Sequence, residues 1–356
     1  MDERRDWKVR DGSEKDMERI LSLRKIVFGE EEKDKLDSRF WKWEFIGNPH
    51  GKALIYIVEE GEKIIGHFAD LPRRFSVKGQ EVLGTLSLDL MVHPEYQRRG
   101  IFEKMGRYAI QRVNALNGLF LMAYPIREET IHGLMKIGWE KVVELPVLVY
   151  PIRFQGIFDR YFHFQSLSLL LGGVAGFFHF LFFQRLVRAK KNEGIEIDQV
   201  DRLDDQFDQF WKKAAALYSI MGIRDQTYMT WRYFQHPTRT YTLYRAIRNG
   251  EMRGYIVLRK VELLNFNSAV IVDLLALDEE AVLALVKRGI QHSQEEGTDL
   301  LGFMVPQGHF YYKILRRMGF LPSPKTFFFM ICSHEEGRGL FDPKAWYVNW
   351  GDTDVI

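Results

Sequence analysis

The chain has one cysteine, Cys332, among 356 residues, which excludes an intramolecular disulfide framework and any metal site built from cysteines. It has almost no net charge: 50 Lys and Arg against 48 Asp and Glu leave +2. That balance excludes a chain-wide basic footprint for nucleic acid and an acidic disordered tail. An apolar leader is lacking too, because Met1-Asp2-Glu3-Arg4-Arg5-Asp6 is charged nearly throughout. No signal peptide is expected, and a cytoplasmic location is. What the chain does have is an ordinary globular composition, 46% hydrophobic and 28% charged, with an excess of phenylalanine at 27 residues. Its length is too great for one ordinary domain and suits two.

An internal similarity divides it. Trp43-Glu44-Phe45-Ile46-Gly47-Asn48-Pro49 and Trp231-Arg232-Tyr233-Phe234-Gln235-His236-Pro237 both read Trp-x-aromatic-x-x-x-Pro. Each precedes a β-rich run, a polar turn and another run: Ala53 to Val58 then Ile64 to Phe68, and Tyr241 to Ile247 then Gly254 to Leu258. Glu60-Gly61-Glu62 and Asn249-Gly250-Glu251 carry hairpin chemistry between them. Further along, Leu88-Asp89-Leu90-Met91-Val92 matches Val272-Asp273-Leu274-Leu275-Ala276. Tyr124-Pro125 matches Val305-Pro306, and Ile137-Gly138-Trp139 matches Met318-Gly319-Phe320. Four matches in one order indicate a duplication.

Each half reads as α/β. The spacing predicts helices at Glu14 to Phe28, Phe102 to Leu116 and Glu128 to Ile137, with strands at Thr85 to Val92, Leu119 to Ala123 and Val142 to Tyr150. In the second half helices are expected at Leu203 to Tyr218, 279–296 and 308–318, and strands at 299–305 and 325–332.

One loop carries chemistry. Val92-His93-Pro94-Glu95-Tyr96-Gln97-Arg98-Arg99-Gly100-Ile101-Phe102 runs from a predicted strand into a predicted helix. Basic side chains, a glycine and the free N–H groups of a helix start together suit a phosphate. The bland alternative is a basic surface turn capping a helix. Val-x-Pro-x-x-Gln-Arg-x-Gly-Ile after a strand resembles the pyrophosphate loop of the GNAT acyltransferase superfamily. Met135-Lys136-Ile137-Gly138-Trp139 resembles a later motif of that family. Phe102 departs from the pattern, which has a small residue there.

The resemblance implies an α/β fold with a mixed sheet, built as two tandem GNAT-like acyl-CoA N-acyltransferase domains. It implies acetyl-CoA as co-substrate and no metal. Leu90, Met91 and Val92 would offer backbone groups to the pantetheine arm, and Gln97, Arg98, Arg99, Gly100, Ile101 and Phe102 would hold the pyrophosphate. The family's usual acid, a tyrosine four residues before the later glycine, is here Leu134. Tyr124 and Asp89 are the substitutes put forward as catalytic, Tyr124 at a strand end and Asp89 as a base; His67, His93 and His132 are further candidates. The match of Asp273 to Asp89 also allows a shared structural role.

The second half has lost the loop. Leu277-Asp278-Glu279-Glu280-Ala281-Val282 has no glycine and no basic residue, and its acids would repel a pyrophosphate. The expected organisation is a domain with the acetyl-CoA loop at 1–150, a connector at 151–194, a degenerate GNAT-like domain at 195–334 and a docked tail at 335–356. The connector is unusual: Tyr161 to Gln184 contains no Asp, Glu, Lys or Arg, and Arg185, Arg188, Lys190 and Lys191 follow. A buried interdomain helix pair, an interfacial anchor over 161–191 and a membrane span all fit it.

The reading is an N-acyltransferase acting on an amine of a small molecule, an amino sugar or a cell-envelope precursor, with no nucleic-acid partner. Two competitors stay open. One is an aminoacyl transferase of the peptidoglycan (FemABX-like) type; the other is a non-catalytic acyl-CoA-binding regulator.

Overall fold

The structure, a computed structural model, describes residues 7–29, 33–153, 194–333 and 339–354. The apolar connector therefore lies outside the described residues. No helix among those described is long and apolar enough to cross a membrane.

In the first half the elements are β1 (Val9–Asp11), α1 (Met17–Phe28), α2 (Ser38–Phe45), β2 (Leu54–Glu60), β3 (Lys63–Val77), β4 (Gln80–Val92), α3 (Ile101–Ala115), β5 (Leu121–Ala123), α4 (Glu128–Lys136) and β6 (Glu140–Pro151). The second half repeats this order with one strand, β8, added between its first two helices. It has β7 (Ile195–Val200), α5 (Gln206–Ala215), β8 (Ile220–Gly222), α6 (Gln226–Met229), β9 (Thr242–Arg248), β10 (Glu251–Leu263), β11 (Phe266–Ala276), α7 (Glu279–Glu295), β12 (Leu300–Met304), α8 (Phe310–Arg317) and β13 (Leu321–Cys332). A short π-helical turn, Thr230–Phe234, follows α6. The hairpin turns use the expected chemistry: Gly61, Asn249 and Gly250 all take left-handed φ.

The described residues cluster into two compact units, each drawing on both halves of the chain. Unit 1 takes Met1–Glu144, Tyr218–Thr240 and Phe327–Trp346; unit 2 takes Leu145–Leu217, Tyr241–Thr326 and Tyr347–Ile356. The reason lies in the closing strands. β13 pairs with β5 through Met330 to Cys332, so the end of the second half completes the sheet of unit 1. β6 pairs with β12 through Val147 to Pro151, so the end of the first half completes the sheet of unit 2.

Within unit 1 the order β1-β2-β3-β4 is antiparallel, and β4 to β5 is parallel. Unit 2 repeats the pattern with β7-β9-β10-β11 antiparallel and β11 to β12 parallel. The helix α3 buries Ile101, Met105, Ala109 and Val113, apolar at helical spacing, against β2 and β3. Gly66 of β3 permits the closeness, because a Cβ there would stand 2.8 Å from Cγ2 of Ile101.

Candidate functional site: a split between two parallel strands

The parallel pairing of β4 with β5 is short. Thr85 and Leu86 face Leu121 and Met122, and β4 then runs on to Val92 without a further paired residue on β5. A parallel sheet that parts in this way exposes strand-edge N–H and C=O groups toward a ligand. Leu90 and Val92 are half-buried beside the split, and Met91 is fully buried.

β4 leads into the basic loop. A turn of 3-10 helix at Pro94–Tyr96 opens it, with the His93 ring accepting from the N–H of Glu95 at 3.3 Å. Gln97, Arg98, Arg99 and Gly100 are all exposed. Arg98 and Gly100 take left-handed φ of 62° and 81°, and left-handed residues interleaved with others build concave runs of N–H groups that bind anions. Gly100 is the N-cap of α3 and provides no side-chain acceptor, so the first-turn donors of that helix are left to a ligand or to water. Arg99 lies over the Tyr96 ring at 5.2 Å, and the Tyr96 hydroxyl donates to Glu60. Ile101 gives its side chain to the core, so only its backbone can serve the loop. The Phe102 ring is directed at α4, where a Cβ on Gly133 would come within 2.7 Å of it. The residue that departs from the family pattern is thus turned toward the neighbouring helix.

The structure places the expected acid-base residues on different elements. Tyr124 follows β5, is buried to 5% exposure and packs on Phe329 at 5.3 Å. Leu134, where the family carries tyrosine, is buried in the α3–α4 core. His93 is half-buried at the loop, and His132 is exposed on α4.

Asp89 sits in a β-bulge. His67 faces Met91 and Ala69 faces Leu88, so Asp89 and Leu90 of β4 oppose Phe68 alone, and Asp89 has φ of 54°. Its carboxylate is bonded to Arg24 of α1 at 2.6 Å, both side chains being buried. Burial raises the affinity of Asp89 for a proton, but Arg24, Lys35 and His67 together outweigh it and hold the carboxyl below its ordinary range. His67 is wholly buried and places Nδ1 2.9 Å from the Asp89 carbonyl oxygen. Arg24 was not among the residues the sequence singled out, and its signal is faint: a cation beside Ile20 and Leu23 on the buried face of α1.

Unit 2 contains the corresponding split and has filled it. β11 pairs with β12 only as far as Ile271 opposite Phe303. Its bulge recurs, because Val257 faces Asp273 while Leu258 faces Ile271. Beyond that point Tyr347 donates to the Leu274 carbonyl, and the Tyr311 hydroxyl accepts from the Ala276 N–H at 2.8 Å. Asp273 accepts from Tyr255 at 3.0 Å and from the Asn349 amide at 2.8 Å. The two matched aspartates therefore hold different partners: Asp89 an arginine, Asp273 a tyrosine and a tail asparagine. At the start of α7 the Asp278 carboxylate accepts from the Ala281 N–H at 2.8 Å and pairs with Arg253 at 2.6 Å. The helix end that is open in unit 1 is occupied here by a protein carboxylate.

No cluster of His, Cys, Asp and Glu able to hold a metal ion occurs among the described residues.

Residues 8–142 match the family model described as an acetyltransferase (GNAT) domain. Comparison with curated proteins gives no match. Solved structures give matches in fold at low identity. A GCN5-related N-acetyltransferase from Anabaena variabilis is 14% identical with a TM-score of 0.65, over 91% of this chain and 72% of that one. A probable N-acyltransferase from Enterococcus faecalis is 14% identical with a TM-score of 0.65, over the same shares, 91% and 72%. The N-myristoyltransferase of Saccharomyces cerevisiae with bound myristoyl-CoA is 12% identical with a TM-score of 0.60, over 92% of this chain and 83% of that one.

Proposed function

We propose that the protein is an acyl-CoA-dependent N-acyltransferase, a reading supported by the match of residues 8–142 to a GNAT acetyltransferase domain model. Its donor is acetyl-CoA, and its acceptor is an amine on a small molecule, an amino sugar or a cell-envelope precursor. The supporting observation is the contrast between two helix starts. The N-terminus of α3 is uncapped and preceded by left-handed Arg98 and Gly100, whereas that of α7 is closed by Asp278. In this reading the pyrophosphate lies on Gln97 to Phe102 and the pantetheine arm lies along Leu90 to Val92. The repeated order of elements supports a duplication in which the second copy has given up donor binding.

The chemistry follows from the split. The acceptor nitrogen attacks the thioester carbon, the C–N bond forms, the C–S bond breaks, and the thiolate takes up a proton. Tyr124, at the end of β5, is the proton donor in this reading. Asp89 is a weak base, since its ion pair with Arg24 keeps it ionised and of low proton affinity. Its part is to hold the bulge against α1, and the ammonium proton leaves to water.

The test is a melting curve with acetyl-CoA, which stabilises the native state by mass action. The parent protein shows an upward shift, and Arg99→Glu with Gly100→Asp loses it. A parent protein unmoved by millimolar acetyl-CoA would sink the proposal. Thiol release across a panel of amines, amino sugars included, then separates an enzyme from a binding protein.

A further inference from the structure

His67 is a buried histidine bonded through one ring nitrogen. Its Nδ1 is 2.9 Å from the carbonyl oxygen of Asp89. A carbonyl only accepts, so Nδ1 carries the hydrogen, and in the neutral ring Nε2 is left as a lone pair. Burial lowers the proton affinity of the ring, and although Asp89 acts the other way the net direction is down, so the ring is neutral. Nε2 is buried and has no hydrogen-bond partner among the described residues. A ring nitrogen left unsatisfied in the interior is costly, so the ring earns its place through the other nitrogen. Phe45 holds the ring at 6.1 Å and is itself stacked on Trp41 at 4.9 Å.

The carbonyl that His67 grips belongs to the bulge. Asp89 is left-handed, and the chain has no cis peptide among its described residues. In a trans peptide the C=O and the next N–H point in opposite directions. With the Asp89 carbonyl drawn to His67 of β3, the Leu90 N–H is directed away from β3. The β5 side of β4 has no paired residue there. An N–H fixed in that direction is a preorganised donor for the oxygen of a carbonyl under attack.

We propose that His67 is a positioning residue: through the Asp89 carbonyl it aims the Leu90 N–H into the β4–β5 split, where that N–H polarises the thioester carbonyl of the donor. This rests on the donor-binding reading above and adds to it the side chain that fixes the direction of that N–H.

The test needs no acceptor. Acetyl-CoA labelled with 13C at the thioester carbonyl is bound to the protein, and its stretching frequency is read by infrared difference spectroscopy. Calorimetry reports affinity in parallel. In the parent protein the bound carbonyl stretch moves to lower frequency than in water. His67→Asn places an N–H where Nδ1–H stands and keeps the shift. His67→Gln, whose N–H reaches the Nε2 position instead, and His67→Phe lose it, with affinity for acetyl-CoA retained. The result that overturns the proposal is a full frequency shift in both His67→Phe and His67→Gln, or a shift absent from the bound parent. Acetyl-CoA that does not bind the parent at all overturns the donor-binding reading itself, and this proposal with it.

Discussion

The indole Nε1–H of Trp43 donates to the backbone carbonyl of Trp231 at 3.0 Å, and that of Trp231 donates to the carbonyl of Trp43 at 3.2 Å, although 188 residues separate them. The two rings stack at 4.5 Å and 14°. Each tryptophan thus donates to the other's backbone while sharing one stacked contact, so the two side chains depend on each other. Both residues are more than nine-tenths buried, so Trp43→Ala or Trp231→Ala should each cost about 3–5 kcal/mol. Since each truncation removes the same stack, the double variant should lose clearly less than the sum. Denaturant titration of the three variants checks this, and strictly additive losses would show that the pair is not coupled.

Arg24 and Asp89 form a buried ion pair, which is worth less than the damage done by breaking it. Either single change, Arg24→Met or Asp89→Leu, leaves a buried charge without its partner and should cost about 3–5 kcal/mol. The double change should recover most of that loss. Asp89 is held below its unfolded value of 3.8, so its contribution is full at neutral pH and is lost as pH falls below that value. A double variant no more stable than the worse single would show that the pair does more than neutralise charge.

How much of this the sequence carried depends on the range of the forces involved. Local patterning was enough for most elements: the spacing predicted helices at Phe102 to Leu116 and 279–296, and the structure has them at Ile101–Ala115 and Glu279–Glu295. Tight turns were legible in Gly61 and Asn249-Gly250 because only certain residues accept left-handed φ. The start of α3 was legible in the same way, because Gly100 takes left-handed φ and heads the helix. The exchange of closing strands was not, since Val142 to Tyr150 reads as a strand whichever sheet it joins. The bulge was hidden for a different reason: Leu88-Asp89-Leu90 alternates as a regular strand would, and what bends it is held from outside by Arg24 and His67. Such tertiary partners leave no periodic trace.

The filling of the second split gives a stoichiometry. Asp278 occupies the start of α7, and Tyr347, Asn349 and Tyr311 bond the backbone and the aspartate of β11. Titration with acetyl-CoA should therefore saturate at one molecule per chain. Asp278→Asn removes the carboxylate charge from the helix start and leaves the other three in place, so it should not create a second site. Calorimetry that fits two equivalent sites in the parent protein would refute this.

A second buried carboxylate predicts a pH dependence of opposite sign. Asp70 of β3 is wholly buried, and it accepts from Ser87 and from Tyr56 at 3.0 Å. Burial outweighs these hydrogen bonds and pushes the carboxyl up to about 6 from 3.8. Between those values the folded protein holds a proton that the unfolded chain has released, so stability falls as pH rises through this window. Below it both states are protonated and nothing is lost; above it the full penalty stands, about 3 kcal/mol at 1.36 kcal/mol per unit. Asp70→Asn resembles the protonated acid and carries no such penalty. Its stability relative to the parent should therefore improve between pH 4 and pH 7.5, while the contribution of Asp89 cancels in the comparison. A gap between variant and parent that is equal at both pH values would show that Asp70 does not titrate in this range.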